Sequence, residues 1–200
     1  MARRIVVLLT LLTLVALACS GPTHAGKFNE KVNVGDKAPV WKSLAGTDGK
    51  SHSLTELADA KAVVVVVTCN NCPVAKAYED RLIAFVKEYQ PKGVELVAIN
   101  PNKTENLDVM KARAEEQGFN FAYIKDESQE VAQAYGATVT PHVFLLDGNR
   151  TIAYMGAIDD NMNDAKVGQH YLRSAADAVL AGRSPAETET RQFGCGIKWK

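Results

Sequence analysis

The stretch that decides the fold runs Val63-Val64-Val65-Val66-Val67-Thr68-Cys69-Asn70-Asn71-Cys72-Pro73. Five consecutive valines lack the apolar–polar alternation of a half-exposed strand. The run therefore predicts a strand covered on both faces, at the centre of an α/β sheet. From Pro73 onward, Val74, Ala77, Tyr78, Leu82, Phe85, Val86 and Tyr89 recur at three- and four-residue intervals and define the apolar stripe of a helix. Proline suits the first helical turn because the N–H it lacks would have no partner there. Gln90-Pro91-Lys92-Gly93 ends the helix. Between strand and helix stand two thiols, Cys69 and Cys72. The backbone N–H groups and dipole of a helix start favour negative charge, so a thiol there can ionise well below the free value of about 8.5. A thiolate is the nucleophile of disulfide exchange, and a second thiol at this spacing can close the ring that expels a bound partner. The pattern points to redox chemistry.

Working outward, Val94–Asn100 reads as a second central strand, 105–117 as a helix closed by Gly118, and 119–124 as a short strand. Asp126-Glu127-Ser128-Gln129 opens a short helix carrying Val131, Ala132 and Tyr135. His142–Leu146, the turn Asp147-Gly148-Asn149, and residues 151–155 form an antiparallel hairpin, and 165–181 make the last helix. On the N-terminal side, residues 40–44 enter a strand and Thr47-Asp48-Gly49-Lys50 reads as a hairpin turn. Ser53 and Glu56 have the spacing of a capping box that starts a short helix. Strands alternating with helices, then a hairpin and a terminal helix, describe an α/β fold with a central mixed sheet.

Residues 1–25 have the layout of a secretory signal. Arg3 and Arg4 precede an apolar run from 5 to 18 broken only by Thr10 and Thr13. That run falls short of the roughly 20 residues a membrane span needs. Two processing routes fit: cleavage after Thr23-His24-Ala25, or a lipoprotein signal Ala16-Leu17-Ala18-Cys19 with Cys19 lipidated and the membrane reached only through that anchor. Either route gives an exported, periplasmic or otherwise extracytoplasmic protein, secreted or lipid-anchored, in a setting where disulfides persist. Loss of Arg3 and Arg4 leaves 21 basic against 23 acidic residues. That balance gives no electrostatic reason to expect nucleic acid as a partner. Residues 26–33 read as a flexible lead-in and 34–200 as one domain. Cys69, Cys72 and Cys195 remain, and an odd number argues against a static disulfide framework.

Cys-x-x-Cys at a strand-to-helix junction, Thr140-Pro141 before a strand, and the closing hairpin and helix resemble the thioredoxin superfamily. Gly35-Asp36-Lys37-Ala38-Pro39 and the extra helix and strand between Val94 and Ile124 resemble its redoxin branch. The similarity extends to peroxiredoxin-like (AhpC/TSA-like) proteins through Thr68-Cys69-Asn70-Asn71-Cys72-Pro73, Asp126-Glu127-Ser128-Gln129, Ile158-Asp159-Asp160-Asn161 and Phe193-Gly194-Cys195-Gly196-Ile197-Lys198-Trp199. The resemblance implies a thioredoxin-like fold with an N-terminal hairpin and an inserted helix–strand unit. It also implies that Pro141 is cis, that Thr140 and Pro141 wall the site opposite Cys69, and that Cys69 is the exposed nucleophile and Cys72 the resolving thiol. Two features of such proteins are missing. No acid interrupts the valine strand, and Cys69 and Thr140-Pro141 stand where peroxiredoxins carry a Thr and an Arg that activate peroxide.

Three functions follow as expectations. An exported thiol–disulfide oxidoreductase would use the Cys69/Cys72 pair on a disulfide-containing protein substrate, with an electron partner to restore it and no cofactor. A thiol peroxidase would use peroxide instead. A copper carrier would bind through Cys69, Cys72 and His142. Cys195, between two glycines, reads either as a mobile free thiol or as a third redox cysteine, and the local Cys69–Cys72 disulfide is expected to dominate because it needs no ordered tail. His52, His170, Trp41 and Trp199 carry no spacing signal and read as surface or packing residues. Asn102-Lys103-Thr104 and Asn149-Arg150-Thr151 match glycosylation sequons.

Overall fold

The computed structural model describes residues 26–200. The signal-peptide and Cys19 readings lie outside the described residues. The six residues of β3 (Ala62–Val67) are fully buried. Each enclosed valine contributes about 1.5–3 kcal/mol relative to exposure. On one side β3 pairs in parallel with β4 (Val94–Asn100), which pairs in parallel with β5 (Ala122–Lys125). On the other it pairs antiparallel with β7 (His142–Leu146), which pairs antiparallel with β8 (Ile152–Gly156). The order β5-β4-β3-β7-β8 is the expected mixed sheet with the valine strand at its centre.

Alternation along these strands sorts the core into two faces. Val64, Val66, Val143 and Leu145 pack under α1 (Pro73–Tyr89) and α4 (Tyr171–Leu180). Val63, Val65, Val67, Phe144 and Leu146 pack under the N-terminal segment, where Trp41 and Leu54 are buried, and under α3 (Glu130–Ala134). The small hairpin of β1 (Leu44–Ala45) and β2 (Ser51–His52) lies on that side, and the Glu56 carboxylate accepts the Ser53 N–H at 3.1 Å as the capping box requires. α2 (Leu107–Gln117) packs Met110 onto Ala98 and Tyr123. A separate ladder joins β6 (Val139–Thr140) to β9 (Cys195–Gly196).

Two helix starts and the lead-in differ from the sequence reading. The α2 helix starts at Leu107 because the Asn106 side chain caps it, accepting the Val109 N–H at 3.0 Å. The final helix starts at Tyr171, after a separate turn at Asp164–Lys166, because the Asp160 carboxylate takes the Gly168 N–H at 2.9 Å. The lead-in is held in place. Asn29 is buried, donates to the Tyr135 carbonyl at 2.8 Å and accepts the Lys31 and Val32 N–H groups, while Glu189 accepts those of Lys27 and Phe28. These contacts satisfy backbone groups that would otherwise need water.

Candidate redox site

The site sits where β3 ends and α1 begins. Cys72 is the N-cap of α1, and its sulfur accepts the Ala75 N–H at 3.4 Å, with Pro73 as the first helical residue. Thr140 and Pro141 face the pair across a cis peptide bond. The Thr140 hydroxyl lies 3.1 Å from Cys69 Sγ, and the Thr140 carbonyl oxygen accepts from Cys72 Sγ at 3.1 Å. One residue therefore touches both sulfurs.

The two thiols sit in different surroundings. Both are buried, Cys69 4 % and Cys72 2 % exposed, so neither is a surface nucleophile. Burial pushes the Cys69 thiol up to about 11, against the Thr140 hydrogen bond and with added repulsion from the Glu105 charge. Burial also opposes ionisation of Cys72. There the Cys195 thiol, the N–H groups of Ala75 and Cys195, and Thr140 outweigh it and hold Cys72 below the ordinary value. The start of α1, the Ala75 N–H and the Cys195 thiol meet at Cys72.

The intervening Asn70 and Asn71 are clamped by a residue that sequence reasoning missed. Glu105 is buried, and its carboxylate accepts the Asn70 N–H at 2.6 Å, the Asn71 N–H at 3.1 Å, Asn100 Nδ2 at 2.7 Å and Asn102 Nδ2 at 3.3 Å. Tyr123 completes the network by donating to Asn70 Oδ1 at 2.8 Å. No spacing pattern flags Glu105, since it lies more than thirty residues from the motif in a loop after β4.

His142 is not part of this cluster. It alternates with Val143 on β7, packs against Phe144 with ring centroids 4.3 Å apart, and so faces the opposite side of the sheet from Cys69 and Cys72. The copper site Cys69-Cys72-His142 is corrected on that ground, and among the described residues no group of three His, Cys, Asp or Glu side chains is placed to hold a metal ion. Cys195, by contrast, is brought in: its Sγ lies 2.6 Å from Cys72 Sγ. Beyond Pro141 a cleft of about 540 Å³ is lined by Tyr78, Asp159, Met162, Arg191 and Phe193. Phe193 and Met162 are exposed there, while Asp159 is tied to α1 through Tyr78 and Arg81.

Residues 34–155 match the model of the AhpC/TSA family. The chain belongs to the AhpC/TSA family. This AhpC/TSA protein is 32% identical over 170 residues to the thiol-disulfide oxidoreductase ResA of Geobacillus thermodenitrificans, covering 82% of the present chain and 92% of the relative. Among solved structures it is similar to a conserved protein from Geobacillus kaustophilus, with a TM-score of 0.78 and 36% identity over 84% of this chain and 92% of that one. A protein from Sinorhizobium meliloti 1021 superposes with a TM-score of 0.79 and 35% identity over 86% and 97% of the two chains. The protein is an oxidoreductase of the redoxin branch of the thioredoxin superfamily.

Proposed function

We propose that this AhpC/TSA protein is an exported thiol–disulfide oxidoreductase whose redox couple is Cys69 and Cys72. The carrying observation is a pair of thiols at the start of α1, both in contact with Thr140, of which Cys72 is held towards its thiolate. Similarity to the thiol-disulfide oxidoreductase ResA supports the same chemistry. In the reducing direction the Cys72 thiolate attacks one sulfur of a substrate disulfide. The substrate S–S bond breaks, its other sulfur leaves as a thiolate and takes the proton of Cys69, and a mixed disulfide joins Cys72 to the substrate. Cys69 then attacks Cys72 Sγ, the second substrate sulfur leaves, and the protein holds a Cys69–Cys72 disulfide. The cleft beside Pro141, with Phe193 and Met162 exposed at its rim, offers an apolar surface for an extended disulfide-bearing polypeptide. Export rests on the signal layout of residues 1–25, and the intact mass of the mature chain separates cleavage before Gly26 from lipidation at Cys19.

Turnover of a protein disulfide with an external dithiol tests the reading. Cys72→Ser should lose turnover by at least about a hundredfold. Wild-type turnover in Cys72→Ser refutes it. The peroxidase reading is supported by the redoxin-branch lead-in and the Cys72-Pro73 helix start, but Cys69 and Thr140-Pro141 stand where peroxiredoxins carry the Thr and Arg that activate peroxide. A rate with hydrogen peroxide no better than that of a free thiol removes it.

A further inference from the structure

The tail Phe193-Gly194-Cys195-Gly196-Ile197-Lys198-Trp199 reads as a mobile segment, yet it is fastened along its length. β9 pairs with β6 in a register that sets Cys195 opposite Thr140. Gly194 passes so close to this strand that a Cβ on it would lie 2.0 Å from the Thr140 carbonyl oxygen. Ile197 donates its N–H to the Thr138 carbonyl at 3.1 Å and is buried. Asn102 Oδ1 accepts the Lys198 N–H at 2.8 Å, and Gln129 donates to the Lys198 carbonyl at 3.0 Å and accepts the Lys200 N–H at 2.8 Å. Gln129 does this from a left-handed backbone, φ 68, a conformation unfavourable for a non-glycine residue. These contacts hold one atom in a definite place: Cys195 Sγ, 2.6 Å from Cys72 Sγ and partly exposed, over a pair that is otherwise buried.

We infer that Cys195 is a third redox cysteine, to which the Cys69–Cys72 disulfide is passed as a Cys72–Cys195 disulfide. The inference rests on the proposed Cys69/Cys72 couple. Cys195 Sγ attacks Cys72 Sγ, the Cys69–Cys72 bond breaks, and the Cys195 proton ends on Cys69, so the exchange needs no outside electrons. At 2.6 Å the two sulfurs are in direct contact, so the exchange needs no large movement of the tail. An external dithiol then attacks the partly exposed Cys195 sulfur and Cys72 departs as the leaving group; a thiol that ionises readily leaves faster. The dithiol gives up two electrons and both protein sulfurs return to the reduced state. With the tail reduced, no covalent bond keeps Cys195 over Cys72, so a substrate disulfide competes with the tail for that sulfur.

Disulfide mapping of the mature protein tests this. The reduced protein is treated with one equivalent of oxidised dithiothreitol, alkylated and cut with trypsin, and fragmentation of linked peptides 62–76 and 192–198 assigns the sulfurs. Wild type should show Cys72–Cys195 as the main bond with Cys69 alkylated, Cys69→Ser should form the same bond, and Cys195→Ser should fall back to Cys69–Cys72. Wild-type protein with Cys69–Cys72 paired and Cys195 fully alkylated overturns the relay while leaving the couple intact, as does Cys195 found only in a link between two molecules. A Cys195→Ser protein that forms no disulfide overturns the couple itself.

Discussion

The Glu105 carboxylate accepts the backbone N–H of Asn70 at 2.6 Å, from a loop 35 residues further along the chain. This contact holds the turn between the two cysteines in the shape that presents Cys72 to the start of α1. Glu105→Ala would leave the Asn70 and Asn71 N–H groups without their acceptor and the Asn100 amide with the Tyr123 hydroxyl alone. A loss of about 2–4 kcal/mol in unfolding free energy is expected, read from urea denaturation. Glu105→Gln, which keeps an acceptor oxygen, should lose less.

His142 should set part of the acid sensitivity. Burial on the Phe144 face pulls its pKa down to about 3 from an unfolded value near 6.5. Between those values the unfolded chain takes up a proton that the native state refuses, so stability falls as pH drops below about 6.5. The contribution of this group between pH 7 and pH 4.5 is about 2.5 kcal/mol. Urea denaturation of wild type and His142→Leu at the two pH values measures it. The variant should lose less stability on acidification by roughly that amount.

Thiolate absorbance near 240 nm should rise in separated steps. Cys72 ionises below the ordinary thiol value, whereas Cys69 follows only near 11 because burial outweighs its Thr140 contact. Cys195 is raised first of all by its hydrogen bond with Cys72, then by burial. In Cys72→Ala the early step should vanish and the Cys195 step should move to lower pH. An unchanged early step would reassign the thiolate.

Gly194→Ala should unseat the tail. The added Cβ meets the Thr140 carbonyl oxygen at 2.0 Å and Pro141 N at 3.1 Å, both backbone atoms of the site wall. In the reduced protein Cys195 should then react with a maleimide about tenfold faster. Gly196→Ala serves as the control, since nothing lies within 4 Å of its Cβ.

What the sequence disclosed depended on local pattern. The valine run, the stripe from Val74 to Tyr89 and the strand Val94–Asn100 were legible because burial imposes a period on neighbouring residues. The cis Thr140-Pro141 wall was legible only through family resemblance. Glu105 and the seat of Cys195 were not legible, since each meets the motif from more than thirty positions away and by no recurring spacing. The relative acidity of Cys69 and Cys72 was hidden for the same reason. It turns on which sulfur caps α1 and which meets Cys195, and a Cys-x-x-Cys spacing fixes neither. His142 was misjudged by adjacency: next to Pro141 in the chain, it faces the other side of the sheet.

Redox titration of the Cys195→Ser protein tests the central claim most directly, because it isolates Cys69 and Cys72. Equilibrated with graded ratios of reduced and oxidised dithiothreitol, then quenched with a maleimide and weighed, the protein should pass in one two-electron transition from two free thiols to none. Adding Cys72→Ser should abolish the transition. Thiols that stay free across the whole range, or a transition that survives loss of Cys72, would contradict a Cys69/Cys72 couple.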